Sequence, residues 1–418
     1  MRASDTETKL ESDGAYSTRT FDWTYDQLGR LTEEKLTSTI PGENYTGDYT
    51  YDLAGNRIEL MAVAANGTVT ETVSTYNARD ELVQDVTTVG GSSMTTNDAY
   101  DPNGSLISKV TVGGDSYLYT YNVRNELATA TISRAEQGHA VQIDADYKYD
   151  DAGIRVESDE TTTVDGGTPT TQTTLFLIDN NNPTGYSQVL EQLSTVGGAP
   201  TISYVAGLAI ISQTTASGAA QYLLADAQDS TRLVADVSGA IVARYAYDAY
   251  GSALGSSPGV VNPPATDILF GGQRFDPVLA EYYMRARYYD PTTGRFDSRD
   301  RIEGLVSQPA TLNHYSFALD DPRNLSDPTG LFIGWLGKIV AAYLAKSAIS
   351  GQLRLATLDL LKVATDALVG IRMDYVLRDA YVQETLHPDA LEVKANSWIA
   401  TSADATFHGV GYTNITPA

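Results

Sequence analysis

Tyr25-Asp26-Gln27-Leu28-Gly29-Arg30-Leu31 is echoed by Tyr51-Asp52-Leu53-Ala54-Gly55-Asn56-Arg57, then by Tyr100-Asp101-Pro102-Asn103-Gly104 and Tyr149-Asp150-Asp151-Ala152-Gly153. Two variants fill the gaps, Tyr76-Asn77-Ala78-Arg79-Asp80-Glu81-Leu82 and Tyr121-Asn122-Val123-Arg124-Asn125-Glu126-Leu127. The leading tyrosines at 25, 51, 76, 100, 121 and 149 are 21 to 28 residues apart. That spacing leaves room for two strands of about six to eight residues with their turns. Each unit reads as a β-hairpin. Asp caps the turn, Gly supplies positive φ, and Leu31 or Arg57 begins the returning strand. Tyr49/Tyr51, Tyr119/Tyr121, Tyr147/Tyr149 and Tyr245/Tyr247 are two apart, on one face of a strand, which predicts a tyrosine ladder. A lone hairpin cannot bury its face, so the units pair edge to edge into a long sheet.

Composition agrees. The chain has 27 Tyr against 8 Phe and 3 Trp, aromatic mass that carries hydroxyls and suits half-buried sheet surfaces. With 42% apolar and 19% charged residues it has the material for a core. The net charge of −25 opposes binding to nucleic-acid phosphates or anionic membranes, which need clustered Lys and Arg. Residues 332–418 contribute only −1 of that charge, from 7 Lys and Arg against 8 Asp and Glu, so the last 87 residues differ in kind from the rest. The absence of Cys excludes a disulfide framework and a thiolate metal site and leaves the compartment open. Nothing in the sequence calls for a cofactor or a metal. The opening Met1-Arg2-Ala3-Ser4-Asp5-Thr6-Glu7 has no apolar h-region, so no Sec signal is read there.

Residues 161–174, polar and Thr-rich, read as a long surface turn or linker that divides the repeats from the later strands. Short apolar runs between turns predict those strands from Leu175 to Val242. After Leu331 the pattern becomes helical, with Trp335, Leu336, Ile339, Val340, Tyr343 and Leu344 spaced by three and four. The apolar run Leu331–Ala345 contains Lys338 and is short of the roughly 18 to 20 residues a membrane span needs, so a packed amphipathic helix is predicted.

Residues 247–331 carry a longer signature. It runs through Tyr247-Asp248-Ala249-Tyr250-Gly251, Gly271-Gly272-Gln273-Arg274-Phe275-Asp276 and Glu281-Tyr282-Tyr283-Met284-Arg285-Ala286-Arg287-Tyr288-Tyr289-Asp290-Pro291-Thr292-Thr293-Gly294-Arg295-Phe296. Ser298-Arg299-Asp300 and Asp327-Pro328-Thr329-Gly330-Leu331 complete it. This ordered string resembles the RHS repeat-associated core, and with the upstream repeats the chain resembles RHS/YD-repeat proteins over about three quarters of its length. The family includes bacterial RHS toxins, the C subunits of insecticidal Tc complexes and, in animals, teneurins.

The resemblance implies a mainly β protein, a spiral, shell-like cocoon of hairpins, followed here by a small helical C-terminal segment. The implied domains are YD-type repeats at 1–160, further shell strands at 161–246, the core at 247–331, and a variable passenger at 332–418. In many relatives the passenger is a toxin held inside the shell and cut free after the Leu of the Asp-Pro-x-Gly-Leu motif, which places the scissile bond at Leu331-Phe332. The chemistry implied is aspartyl. Two close carboxylates share a proton, so that one activates water and the other protonates the amide, and the candidates are Asp327 and Asp300. Asp300 is followed by Arg301 where the family usually has Pro. The arginine that some relatives use aligns with Ser316 or Leu319, with Arg323 nearby. The alternative is structural, with Asp327 capping a turn set by Pro328 and Gly330. Arg285, Arg287, Arg295 and Arg299 are expected to pair with neighbouring carboxylates rather than form a binding patch.

The sequence leaves two functions open. One is a secreted or cell-surface capsule that delivers residues 332–418 as its own cargo, partnered by an immunity protein or a secretion-system component. The other is a non-enzymatic extracellular scaffold or adhesion protein. In the tail, Glu384, His387, Asp389, Glu392, Lys394 and His408 invite a nuclease or hydrolase reading without forming a motif of either. About 331 residues of shell implies a small or partial cocoon.

Overall fold

A computed structural model describes residues 4–10, 16–182, 184–254, 265–304, 306 and 308–331. Twenty strands, from β1 (Ser4–Leu10) to β20 (Ile241–Arg244), follow one another in sequence order, each antiparallel to the next. Within the described residues β1 pairs only with β2 (Tyr16–Tyr25) and β20 only with β19 (Thr231–Asp236), so the sheet does not close into a barrel. The expected helical segment lies outside the described residues.

The turns form as the repeat chemistry requires. Asp26 Oδ1 accepts from the Leu28 and Arg30 N–H groups at 2.8 and 3.0 Å while Gly29 takes φ 87°, and the Asp52 turn is built the same way around Gly55. In the variant units Asn77 and Asn122 cap, and Asp80 and Asn125 occupy the left-handed position in place of Gly. The tyrosines are held by more than burial. Tyr51, Tyr76 and Tyr149 donate from their hydroxyls to the carbonyls of Leu31, Arg57 and Leu127, each the residue that opens an earlier returning strand. Each such bond adds about 1 kcal/mol net, whereas the buried hydroxyls of Tyr119 and Tyr147 are left without a partner among the described residues.

Residues 161–174 are not a linker. Thr161 and Thr162 pair with Thr171 and Thr170 across β13 (Arg155–Val164) and β14 (Thr170–Asp179), leaving only residues 165–169 between them. A run of threonine looks like loop by polarity, yet its branched Cβ favours strand, and the hydroxyls satisfy one another across the pair, as Thr161 and Thr171 do at 2.8 Å.

The core segment lies against one face of this sheet. Its four short strands, β21 (Arg274–Asp276), β22 (Glu281–Met284), β23 (Arg287–Asp290) and β24 (Arg295–Phe296), form a second antiparallel sheet, with β22 and β23 buried throughout. The apolar clusters mix both layers. Leu106, Tyr119, Leu127 and Ile132 pack with Leu279, Tyr283 and Tyr288, while Phe21, Trp23 and Leu31 pack with Ala246, Ala249 and Tyr250. Polar bonds tie the core to distant strands as well. Arg155 Nη1 donates to Asp276 Oδ2 at 2.6 Å, Tyr204 Oη to Asp267 Oδ1 at 2.5 Å, and Arg295 Nη1 to Asn56 Oδ1 at 3.0 Å. One segment reaches strands that lie far apart in the meander, so the sheet curves around it.

Candidate active site at the end of the core

The segment Asp327-Pro328-Thr329-Gly330-Leu331 repeats the hairpin turn in a new setting. Asp327 Oδ1 accepts from the Leu331 N–H at 3.0 Å, as Asp26 does from Arg30, and Gly330 takes φ 67°. The tip of the β22–β23 hairpin grips the turn. Arg285, itself at φ 61°, donates from its guanidinium to the Pro328 carbonyl, the Ala286 N–H donates to Thr329 O at 3.2 Å, and Arg287 Nε donates to Gly330 O. A side chain at position 330 would collide with the Met284 carbonyl oxygen, so this approach as well as the positive φ requires glycine.

Arg287 also gathers the two expected carboxylates. Its Nη2 lies 2.8 Å from Asp300 Oδ2 and 3.5 Å from Asp327 Oδ2, while Nη1 donates to His314 O at 2.8 Å and the guanidinium stacks 3.6 Å over the Phe296 ring. Asp300 Oδ1 accepts from the Ile302 N–H at 2.8 Å. All three side chains are buried. Burial pushes Asp327 up to about 7, a shift that Arg287 opposes and the Asp300 charge reinforces. Asp327 therefore holds a proton more readily than an ordinary carboxyl, which makes an acid available near neutral pH.

Thr329 Oγ1 completes the site, 3.2 Å from Asp327 Oδ1 and 3.2 Å from the Leu331 carbonyl oxygen. The arrangement therefore offers an acid, Asp327, a second carboxylate, Asp300, and a fixed cation between them, beside the carbonyl of Leu331. Phe332 lies outside the described residues.

The sequence brought Asp300 and Asp327 forward together but missed the arginine. Of the positions it offered, Ser316 bridges to Arg295, Leu319 sits in a left-handed stretch at φ 54°, and Arg323 stacks 4.4 Å over Trp23. The side chain that meets both carboxylates is Arg287 instead. The expectation that the core arginines pair with carboxylates holds for Arg287 and for Arg299, which reaches Glu303 at 3.2 Å. Arg285 and Arg295 instead satisfy carbonyls and side-chain amides, because the backbone of the buried turns offers more acceptors there than acids. Among the described residues no group of His, Cys, Asp and Glu is placed to hold a metal ion, and no helix is long and apolar enough to cross a membrane.

A family model described as Teneurin YD-shell matches residues 5–323. The tRNA3(Ser)-specific nuclease WapA of Bacillus spizizenii is 26% identical over 304 residues, 69% of this chain and 11% of that protein. The toxin protein Tse5 of Pseudomonas aeruginosa is 41% identical over 87 residues, 21% of this chain and 6% of Tse5. A crystal structure of TcdB2-TccC3-TEV superposes with a TM-score of 0.49 at 19% identity, covering 79% of this chain and 18% of the other. The chain thus spans about a tenth of the length of the WapA protein it matches.

Proposed function

Because the chain belongs to the teneurin YD-shell family, shown by the match over residues 5–323, we propose that it is the shell part of a toxin-like protein that encloses residues 332–418 and severs them at Leu331-Phe332. Relatives that are named as a tRNA nuclease and as a toxin support a shell that serves a harmful passenger. The observation that carries the cleavage reading is the meeting of Asp300 and Asp327 on Arg287, with Asp327 also bonded to the Leu331 N–H. Asp300 acts as base on a water molecule and Asp327 as acid toward the Leu331 carbonyl. The proposed partners are the chain's own C-terminal segment, an immunity protein where the passenger is toxic, and a component of the export route to the outside or the cell surface.

A scaffold without chemistry is favoured by one observation: Asp327 makes the same i to i+4 bond as the plain turn at Asp26. What sets Asp327 apart is its burial beside a second carboxylate and an arginine. The test is synthesis of the full chain in a cell-free system, sampled over time on a denaturing gel. Wild type is expected to split in two, and Asp327→Asn and Asp300→Asn to remain whole. Cleavage that proceeds at the wild-type rate in both variants would exclude the aspartyl reading and leave the scaffold.

A further inference from the structure

One hydroxyl at the site has two acceptors and a single hydrogen. Thr329 Oγ1 is within hydrogen-bond distance of both Asp327 Oδ1 and Leu331 O, yet it donates to only one at a time. Both contacts become hydrogen bonds when Asp327 Oδ1 bears a proton. Then Asp327 donates to Thr329, and Thr329 donates to the Leu331 carbonyl. The surroundings place the proton on that oxygen. Asp327 Oδ1 has an acceptor in reach, Thr329 Oγ1, and keeps its other lone pair for the Leu331 N–H, whereas Oδ2 faces Arg287 Nη2, which has only hydrogens to offer. Asp300 is oriented the other way, since its Oδ2 accepts from Arg287 and its Oδ1 from the Ile302 N–H.

We propose that the Thr329 hydroxyl is a catalytic residue of the self-cleavage, relaying a proton from Asp327 to the Leu331 carbonyl oxygen. This role rests on the cleavage reading above. Burial raises Asp327 to about 7, so the donor form is present at neutral pH. The step balances with one water as co-reactant. Its oxygen bonds to the Leu331 carbonyl carbon while Asp300 takes one of its protons. The carbonyl π pair moves to the oxygen, which takes the Thr329 proton as Thr329 takes that of Asp327. In the second step Asp300 returns its proton to the amide nitrogen and the carbon–nitrogen bond breaks. One hydroxyl of the hydrated carbon then sends its proton back through Thr329 to Asp327. Leu331 ends as a carboxyl group, the new amine leaves on the tail, and both aspartates are restored.

Nothing in the Asp-Pro-x-Gly-Leu signature demands a hydroxyl at the third position.

The experiment follows the full chain, made by cell-free translation, by intact mass over time and from pH 5 to 9. Thr329→Val keeps the shape and removes the hydroxyl, and is expected to slow cleavage about 100-fold, the scale of losing one donor to a developing oxyanion. Thr329→Ser is expected to restore the rate to within about tenfold of wild type, and the wild-type rate is expected to fall above about pH 7 as Asp327 loses its proton. The Val variant is expected to lack that alkaline decline. Thr329→Ala repeats the test without added bulk, and the melting midpoint of each variant shows whether it folds. Equal rates and equal pH profiles in wild type and the folded Val or Ala variant would overturn the relay while leaving self-cleavage standing. A wild type that stays whole would overturn both.

Discussion

Arg287→Met should abolish cleavage and destabilise the core by about 3–5 kcal/mol, the usual cost of removing one partner from a buried ion cluster. Methionine approximates the length of the side chain and keeps apolar contact with Phe296, over which the guanidinium now lies at 3.6 Å. What it removes is every charged and donating contact. Asp300 and Asp327 would face each other in a buried site without their common cation, and the carbonyls of Gly330 and His314 would lose their donor. At neutral pH the pair then takes up a proton to limit the repulsion, so part of the lost stability should return on acidification. Chemical denaturation of a cleavage-blocked Asp300→Asn background, with and without the Arg287 change, separates the two contributions. The amide introduced by Asp300→Asn keeps an acceptor but carries no charge, so the penalty should shrink. An Arg287→Met chain as stable as wild type and cleaved at the same rate would show that Arg287 serves neither the fold nor the cut.

The whole shell should gain stability as pH falls from about 8 to about 5, the reverse of ordinary acid denaturation. Asp98, Asp248, Asp320 and Asp327 are each raised to about 7 and Asp297 to about 6, burial being the leading cause in every case. A carboxyl whose folded pKa lies above its unfolded value of about 4 binds its proton more readily when folded. Its contribution is complete below about pH 4 and is lost as pH rises through 6 to 7. Relief of the −25 net charge acts in the same direction. Below about pH 4 the trend reverses, because Asp26, Asp290 and Asp236 are lowered in the fold and then take up protons at a cost. Burial leads the opposing influences on Asp26 and Asp290, but their hydrogen bonds and cationic partners outweigh it; hydrogen bonds from Ser238 and the backbone lower Asp236. Asp98 offers the cleanest variant. Its Oδ1 is shielded from water with no hydrogen-bond partner, and Lys109 on the neighbouring strand is the charge that opposes the rise. Asp98→Asn should therefore stabilise the chain at pH 8 by about 1–3 kcal/mol and flatten the slope between pH 5 and 8. Urea midpoints that fall steadily from pH 8 to pH 5 would contradict the burial of these acids.

Much of the fold is written in the repeat. Tyr-Asp followed by Gly fixes where each hairpin turns, because a short cap and a positive φ are local demands that only a few residues meet. The same turn recurs at Asp226 and Asp236, where Asp229 and Gly239 take the left-handed position, but Ala225 and Ala235 stand in place of the leading tyrosine and hide the unit. The Thr-rich hairpin at 161–174 is hidden for another reason, since polarity and strand propensity point opposite ways for threonine. Long-range pairings leave no local trace. Arg155 meets Asp276, 121 positions away, and nothing near either residue announces the other.

Arg287 is legible in part. The mirrored run Tyr282-Tyr283-Met284-Arg285-Ala286-Arg287-Tyr288-Tyr289 is a hairpin written twice, with Tyr283 facing Tyr288 and Met284 facing Arg287. That symmetry puts Arg285 at a tight tip and Arg287 on the first rung of the returning strand, where both grip another turn. That the turn is Asp327-Pro328-Thr329-Gly330-Leu331, 40 residues after Arg287, is a fact of tertiary structure alone.

Whether this fold cuts its own chain is decided by the intact mass and terminal sequence of the wild-type products. The full 418-residue chain is made without cellular proteases and analysed both denatured and by native size exclusion. Self-cleavage at the site of Asp300, Asp327 and Arg287 requires two products, one ending at Leu331 and the other beginning at Phe332, and the proposed enclosure adds that the two elute together under native conditions. A single uncut chain, or products ending at other residues, would contradict it.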